Sequence, residues 1–250
     1  MPTNVKRNLA GVKKIIAVSS CKGGVGKSTI AVNLAFTLSH FLGRKVGIFD
    51  ADIYGPSLPT LIRKKDAYLQ APADRPKDIS PVEFEGVKAM SYGWAYGNKR
   101  EVMRGPMVSG IVAQLFQSTE WGELDYLVVD MPPGNLLFFE RLGTGDVQIT
   151  LGQEINFDGS VIVTTPQQLS YVDVVKGIEL FDDLKVPTLS VVENMAYFNC
   201  HKCDEKHHIF GTGKIGQLKA QFGIRNSYEI PLLRSVAKYS DLGIVSVLKI

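Results

Sequence analysis

Residues 21–29 read Cys-Lys-Gly-Gly-Val-Gly-Lys-Ser-Thr, a spacing suited to holding phosphate. Gly23, Gly24 and Gly26, with Val25 between them, let backbone N–H groups curl around phosphate oxygens with no Cβ in the way. A helix starting just after the loop adds the positive end of its dipole. Lys27 can reach the β- and γ-phosphates of a nucleotide, and the Ser28 hydroxyl, followed by Thr29, can ligate Mg²⁺. The strict pattern G-x-x-x-x-G-K-[ST] needs glycine at position 21 and finds Cys21. A plain strand-to-helix connector would use the glycines but has no need of Lys-Ser-Thr.

Three carboxylates could serve the same site. Asp50 and Asp52 follow one apolar run, and Asp130 ends Leu127-Val128-Val129. In a doubly wound sheet, ligands bind beyond the carboxyl ends of the strands, so these acids are expected near the loop. Hydrolysis of a γ-phosphate needs Mg²⁺ and a positioned water. Asp130 fits the Mg²⁺-holding role, directly or through water. Asp52 fits water positioning, and Asp50 fits a place behind the Mg²⁺ ligands. Each could instead cap a following turn.

The third chemistry is Cys200-His201-Lys202-Cys203, with His207 and His208 close behind. A redox dithiol would want a thioredoxin-like βαβ setting, which the pattern lacks. A zinc site could recruit His207 or His208 to make Cys₂His₂ in one chain. A third reading depends on whether the chain pairs with a copy of itself, and is taken up below.

These residues need elements to position them. Short apolar runs alternate with amphipathic stretches, which predicts an α/β fold with a doubly wound, mostly parallel sheet. Strands are expected at Lys14–Ser19, Lys45–Phe49, Val87–Ser91, Tyr126–Val129, Ser160–Thr164 and Thr188–Val192. Ile30, Leu34, Leu38 and Phe41 fall at helical spacing, so a helix is expected over Ser28–Leu42, stopping at Gly43. Further helices are expected at Val108–Phe116, Val172–Leu184 and Ile215–Phe222. Lys64–Pro81 is polar and rich in proline, and reads as a surface loop. Residues 1–13 read as an N-terminal extension and 14–250 as one domain.

Composition bounds the answer. The 250 residues are 45% hydrophobic and 21% charged, an ordinary globular balance. The net charge of +3 is too weak to argue for nucleic acid. Three cysteines are too few for a disulfide scaffold and suit a reducing compartment. Apolar runs fall short of the ~20 residues of a membrane span. Met1–Lys14 has four basic residues and no apolar stretch, so it reads as no secretory signal and is short for a transit peptide. The expected setting is therefore soluble and intracellular.

Lys22 gives the loop a particular stamp. KGGVGKST (22–29) resembles the deviant Walker A loop of the MinD/ParA/nitrogenase-iron-protein class of P-loop NTPases. In that class the early lysine reaches across a dimer interface to the partner's nucleotide, so the resemblance implies a homodimer in which Lys22 acts in trans. Two thiolates per chain are then half of a Cys₄ set, which a two-fold axis through the loop would complete as a [4Fe–4S] site.

Longer blocks narrow the resemblance. They include SSCKGGVGKSTIAVNLA (19–35), FDADIYGPSLPTL (49–61), MRGPMVSG (103–110), LDYLVVDMPPG (124–134), TTPQ (164–167), VVENMAYFNC (191–200) and IFGTG (209–213). Together, in order and over nearly the whole chain, they resemble the Mrp/ApbC group of P-loop iron–sulfur cluster carriers. SSCKGGVGKST and TEWGELDYLVVDMPPG are most similar to the plastid high-chlorophyll-fluorescence branch, whose members usually carry extra domains on either side. That branch often lacks the Cys-x-x-Cys form, while bacterial, cytosolic and mitochondrial relatives have it, so the resemblance implies cytoplasm or plastid stroma ahead of the mitochondrial matrix. The resemblance implies ATP and Mg²⁺ as nucleotide and ion, a labile [4Fe–4S] cluster as cargo, and apo iron–sulfur proteins as recipients. It also implies that the Asn194 amide reads the adenine edge and that the turn ending in Pro231 flanks the base.

Two departures stand out. Cys21 replaces the first loop glycine, either as a small structural substitute or as an oxidisable thiol beside the nucleotide. Relatives run from MPPG straight into TGD, whereas here Asn135–Gly143 intervene. This interrupts the segment expected to sense the γ-phosphate, so ATP hydrolysis is expected to be slow or absent with nucleotide binding retained. Two other classes compete. A MinD/ParA-type positioning ATPase would need a membrane-binding amphipathic helix or a basic DNA surface, and the tail Ser240–Ile250 is unlike such an anchor. A zinc-stapled P-loop regulator would keep the nucleotide and lose the cluster chemistry. Neither nucleic acid nor stable membrane association is expected.

Overall fold

The strand leading into the phosphate loop lies in the middle of the sheet. The computed structural model describes residues 9–95, 105–133, 151–152 and 155–249, with backbone alone for 105–108 and 168–170. Its strands are β1 (Val12–Ser19), β2 (Val46–Asp50), β3 (Val82–Phe84), β4 (Val87–Ser91), β5 (Leu124–Asp130), β6 (Gly159–Thr164), β7 (Thr188–Asn194), a hairpin of β8 (Phe198–Asn199) and β9 (Lys206–His207), and β10 (Asn226–Ile230). The main sheet has eight strands in the order β10-β7-β6-β1-β5-β2-β4-β3. All pairings are parallel except β3 with β4.

The helices are α1 (Lys27–His40), α2 (Leu58–Leu61), α3 (Tyr92–Ala95), α4 (Gly105–Ser118), α5 (Gln168–Asp183), α6 (Ile215–Phe222) and α7 (Arg234–Asp241), followed by a 3₁₀ turn over Ser246–Lys249. They cover both faces of the sheet, which is why the inner strands read as unbroken apolar runs. On one face Ala17, Phe49, Leu127 and Val129 pack with Val112, Leu115 and Phe116 of α4 and with Val174, Ile178 and Phe181 of α5. On the other, Val18, Ile48 and Val128 pack with Ala31, Val32, Ala35 and Phe36 of α1. Phe49 meets Phe116 edge-on at 5.0 Å and Trp121 at 6.4 Å. Such pairs contribute about 0.5–1.5 kcal/mol each beyond burial.

Every strand and helix expected from the pattern is present, with ends shifted by a few residues. The carboxyl-terminal tail folds back onto α1: Val245 is buried, and the Val247 N–H donates to Asn33 Oδ1 at 2.9 Å. Most of 64–81 is irregular, as expected, but Ile79 is tied in by its N–H to the Ser118 carbonyl at 2.7 Å. Among the described residues no helix is long and apolar enough to cross a membrane. Residues 1–8 of the extension, residues 103–104 of the 103–110 block, the 135–143 insertion and 144–146 lie outside the described residues.

Candidate functional site

The order of the strands builds the site. β1 lies between β5 and β6, with the helix that leaves β1 on one face of the sheet and the helix that leaves β6 on the other, and the crevice beyond its carboxyl end is where such sheets bind ligands. The loop after β1 enters α1 through Gly26, whose φ of +89° is left-handed. A Cβ at Gly26 would collide with the Asn194 amide nitrogen. Only glycine satisfies both the dihedral and the approach.

A pocket of about 300 Å³ opens over this loop. It is lined by Ser20, Lys22, Gly23, Gly24, Gly26, Lys27, Ser28 and Thr29 from the loop and α1, and by Asp52, Ser57, Leu61 and Pro133 from facing segments. Lys22 is exposed at its rim. Lys27 is buried in its wall with Asp130 behind, Lys27 Nζ lying 2.5 Å from Asp130 Oδ1 and 3.3 Å from Ser28 Oγ. The parallel register explains the convergence, because β5 places Asp130 opposite Val18 of β1 on one side and Asp50 of β2 on the other.

Asp50 does not line the pocket. Its Oδ1 accepts the Asp52 N–H at 3.1 Å, and its Oδ2 accepts the Ser57 and Leu58 N–H groups and the Ser91 hydroxyl, each at 3.0 Å. Burial, then the neighbouring Asp130 carboxylate, push the Asp50 carboxyl up to about 7, against the Leu58 N–H and the Lys27 ammonium, which pull it down. Asp50 therefore holds the 52–58 turn in place and leaves Asp52 facing the pocket. Asp52 accepts the Gly55 N–H at 3.1 Å, and its carboxyl is also raised, chiefly by burial.

Cys21 and Val25 are buried and are not among the pocket's lining residues. Cys21 packs on α5, where a Cβ at Gly177 would collide with its sulfur. Burial, with a contribution from Asp173, pushes this thiol up to about 12, so it stays protonated and unreactive. Of the two readings of Cys21, the structural substitute is the one its surroundings fit. Asn194 donates its amide N–H to the Val25 carbonyl at 2.9 Å, and so braces the loop. Pro231 follows β10, beside the Leu232 N–H to Tyr197 carbonyl bond of 2.8 Å, and is not among the pocket's lining residues.

The cysteine pair lies on the β8–β9 hairpin, which begins four residues after Asn194. Cys200 is half-buried and Cys203 exposed. N–H groups of Lys202 and Cys203 point at the Cys200 sulfur and, with the Cys203 side chain, hold its thiol below the usual cysteine range. Among the described residues, Cys200, Cys203 and His207 form a group that could hold a metal ion. Of the two histidines that spacing left open, the hairpin brings in His207, while His208 Nδ1 lies 3.2 Å from the Ala196 carbonyl. Ser57 and Ser91, the partners of Asp50, had no signal in the sequence, because Ser91 is 41 residues away and reaches Asp50 only through β2–β4 pairing.

Residues 11–250 match the family described as ParA, NUBPL iron-transfer P-loop NTPase. The chain is 49% identical over 235 residues to the chloroplastic Fe-S cluster assembly factor HCF101 of Arabidopsis thaliana, covering 94% of this chain and 42% of that protein. It is 45% identical over 236 residues to an iron-sulfur cluster carrier protein of Pseudomonas fragi, covering 94% of this chain and 78% of that one. The chain thus spans less than half the length of its plastid relatives. Among solved structures, a nucleotide-binding protein of Archaeoglobus fulgidus in complex with ADP superposes with a TM-score of 0.81 at 36% identity, over 97% of this chain and 91% of that one. MinD of Pyrococcus horikoshii, at 19% identity and a TM-score of 0.61 over 94% of this chain and 88% of that one, shares the fold. The chain belongs to the ParA-type family of NUBPL iron-transfer P-loop NTPases.

Proposed function

We propose that the chain is an ATP-dependent carrier that holds a labile [4Fe–4S] cluster as cargo and passes it to apo iron–sulfur proteins. The observation that carries this reading is the continuity of β7 with both sites. Its last residue, Asn194, braces the phosphate loop, and the chain then runs directly into the hairpin bearing Cys200 and Cys203. A change in the loop on nucleotide turnover has a short covalent route to the thiolates. The HCF101 and carrier names of the relatives support the same cargo.

The residues divide the work as follows. Gly23, Gly24, Gly26, Lys27 and Ser28 line the pocket, where backbone N–H groups would suit phosphate oxygens. Lys27 would exchange part of its contact with Asp130 for the β- and γ-phosphates. The Ser28 hydroxyl, with Asp130 behind it, is an oxygen donor set that fits Mg²⁺. When bound, that ion neutralises charge developing on the phosphate oxygens. Asp52, facing the pocket, orients the water that attacks the γ-phosphorus while the bond to the β-phosphate oxygen breaks. Lys22, exposed at the rim, is supplied in trans by a second copy, making the active form a homodimer. The same two-fold brings four thiolates together for the cargo. Residues 14–250 act as one ATPase domain. Three free cysteines, with Cys203 exposed, suit a reducing compartment such as cytoplasm or plastid stroma.

The test is transfer. Chain loaded with iron and sulfide, mixed with an apo-form [4Fe–4S] dehydratase and a ferrous chelator, is expected to restore dehydratase activity. Restoration no better than iron and sulfide alone would overturn the carrier reading.

The 135–143 insertion falls where a γ-phosphate sensor must keep its geometry to within about 0.5 Å. It makes hydrolysis slow while binding persists. Deleting 135–143 is expected to raise the rate of phosphate release with little change in nucleotide affinity. An unchanged or lower rate would count against this role.

A further inference from the structure

The cysteine hairpin holds a third donor that the bridging-cluster reading leaves unused. β8 and β9 pair antiparallel, with Phe198 opposite His207 and Asn199 opposite Lys206. The turn between them is closed twice, by the Cys200 N–H to the Glu205 carbonyl at 3.0 Å and by the Asp204 N–H to the Cys200 carbonyl at 2.8 Å. This folds His207 back onto the cysteines. One ligand atom from each of Cys200, Cys203 and His207 lies within 4.8 Å of the other two. Around a tetrahedral zinc-type ion, with bonds of about 2.3 Å to sulfur and about 2.0–2.1 Å to nitrogen, neighbouring donors stand roughly 3.5–3.8 Å apart. The difference is about 1 Å, within reach of side-chain rotation on an exposed hairpin.

His201, Lys206 and His208 are engaged elsewhere. The His201 ring stands edge-on to Phe198 at 5.6 Å. His208 Nδ1 faces the Ala196 carbonyl at 3.2 Å, and its ring meets Tyr197 at 6.2 Å. The Lys206 ammonium lies over the Tyr197 ring at 4.3 Å.

We propose that a single chain binds one thiophilic divalent cation, of the zinc, cobalt or ferrous type, through Cys200 Sγ, Cys203 Sγ and a ring nitrogen of His207. Two thiolates and a neutral imidazole balance the ion's charge and select against Mg²⁺ and Ca²⁺, which take oxygen ligands. Three protein ligands leave the fourth tetrahedral position open, so the ion stays exchangeable. The site uses the same sulfurs as a cluster shared between two chains. The two states exclude each other, and loading of the cargo displaces the ion. The proposal does not need the carrier reading to hold.

The experiment is an anaerobic titration of the reduced chain with Co²⁺, without nucleotide, followed by visible absorption and gel filtration. About one Co²⁺ per chain is expected, with the intense d–d bands of tetrahedral cobalt on a monomer, and Zn²⁺ bleaching them. His207→Ala is expected to weaken Co²⁺ binding by at least ~10-fold and to change the bands, since even outer-sphere partners of a metal carry 10–100-fold effects. His208→Ala is the control and should match the parent. Half an equivalent of Co²⁺ with dimer formation would overturn the proposal, as would a His207→Ala chain whose affinity and spectrum equal the parent's. The two readings fail separately. A chain that binds Co²⁺ through His207 but takes up no iron–sulfide cluster defeats the carrier reading alone. One that loads a cluster while its Co²⁺ ignores His207 defeats this proposal alone.

Discussion

Replacing Lys27 by glutamine is expected to lower ATP turnover by roughly 10²–10³-fold, the scale seen when one preorganised donor to a developing charge is removed, while the chain stays folded. Lys27 Nζ is 2.5 Å from Asp130 Oδ1, and both side chains are nearly inaccessible. The glutamine amide can still donate to Asp130 and Ser28, but brings no positive charge to the phosphates. Alanine is the poorer choice, because it leaves the Asp130 carboxylate buried and unpaired, a loss of about 3–5 kcal/mol of stability in comparable pairs. Steady-state phosphate release and a nucleotide titration of Lys27→Gln check this. Turnover within a few-fold of the parent would show that the pocket over the loop is not the hydrolytic site.

Lys22→Ala is expected to behave differently. Lys22 is exposed, so its loss should change stability by no more than about 0.5 kcal/mol. Each chain should still bind nucleotide through its own loop. Turnover should fall by about 10³-fold or more, as when a cation supplied across an interface is removed. Mixing separates action in trans from action in cis. A heterodimer of Lys22→Ala with Asp52→Ala has one site with its own Asp52 and the partner's Lys22. Equal mixtures that exchange subunits should therefore recover roughly a quarter of parent activity by random pairing. No recovery, in a mixture shown to have exchanged, would mean that Lys22 serves its own chain or that no sandwich dimer forms.

The sheet was legible where strands are buried on both faces. β1, β2, β5 and β6 announce themselves as apolar runs because helices cover them on each side. β10 (NSYEI) does not, because it is an edge strand whose residues are mostly exposed, and its partner β7 supplies the pairing. α7 (RSVAKYSD) has no buried residue and is short and polar, so it offers no apolar run to read. The phosphate loop was legible because its chemistry is local. The role of Asp50 was not, since its partner Ser91 arrives by strand pairing. The fit of Cys21 against Gly177 joins residues far apart in the chain, and spacing carries no trace of it. The choice of His207 over His208 hangs on one residue of alternation along β9, which is fixed only when Phe198 pairs opposite it.

The central claim is that one chain couples a nucleotide loop to a pair of thiolates that shares a [4Fe–4S] cluster with a second copy. The most direct measurement is anaerobic reconstitution with iron and sulfide, read by visible absorption and by iron per dimer, alongside Cys200→Ala and Cys203→Ala. The account predicts about four irons per dimer, the broad charge-transfer absorption of thiolate-ligated iron–sulfur centres, and loss of both in either variant. Iron that is absent, or that persists unchanged when both cysteines are replaced, would contradict it.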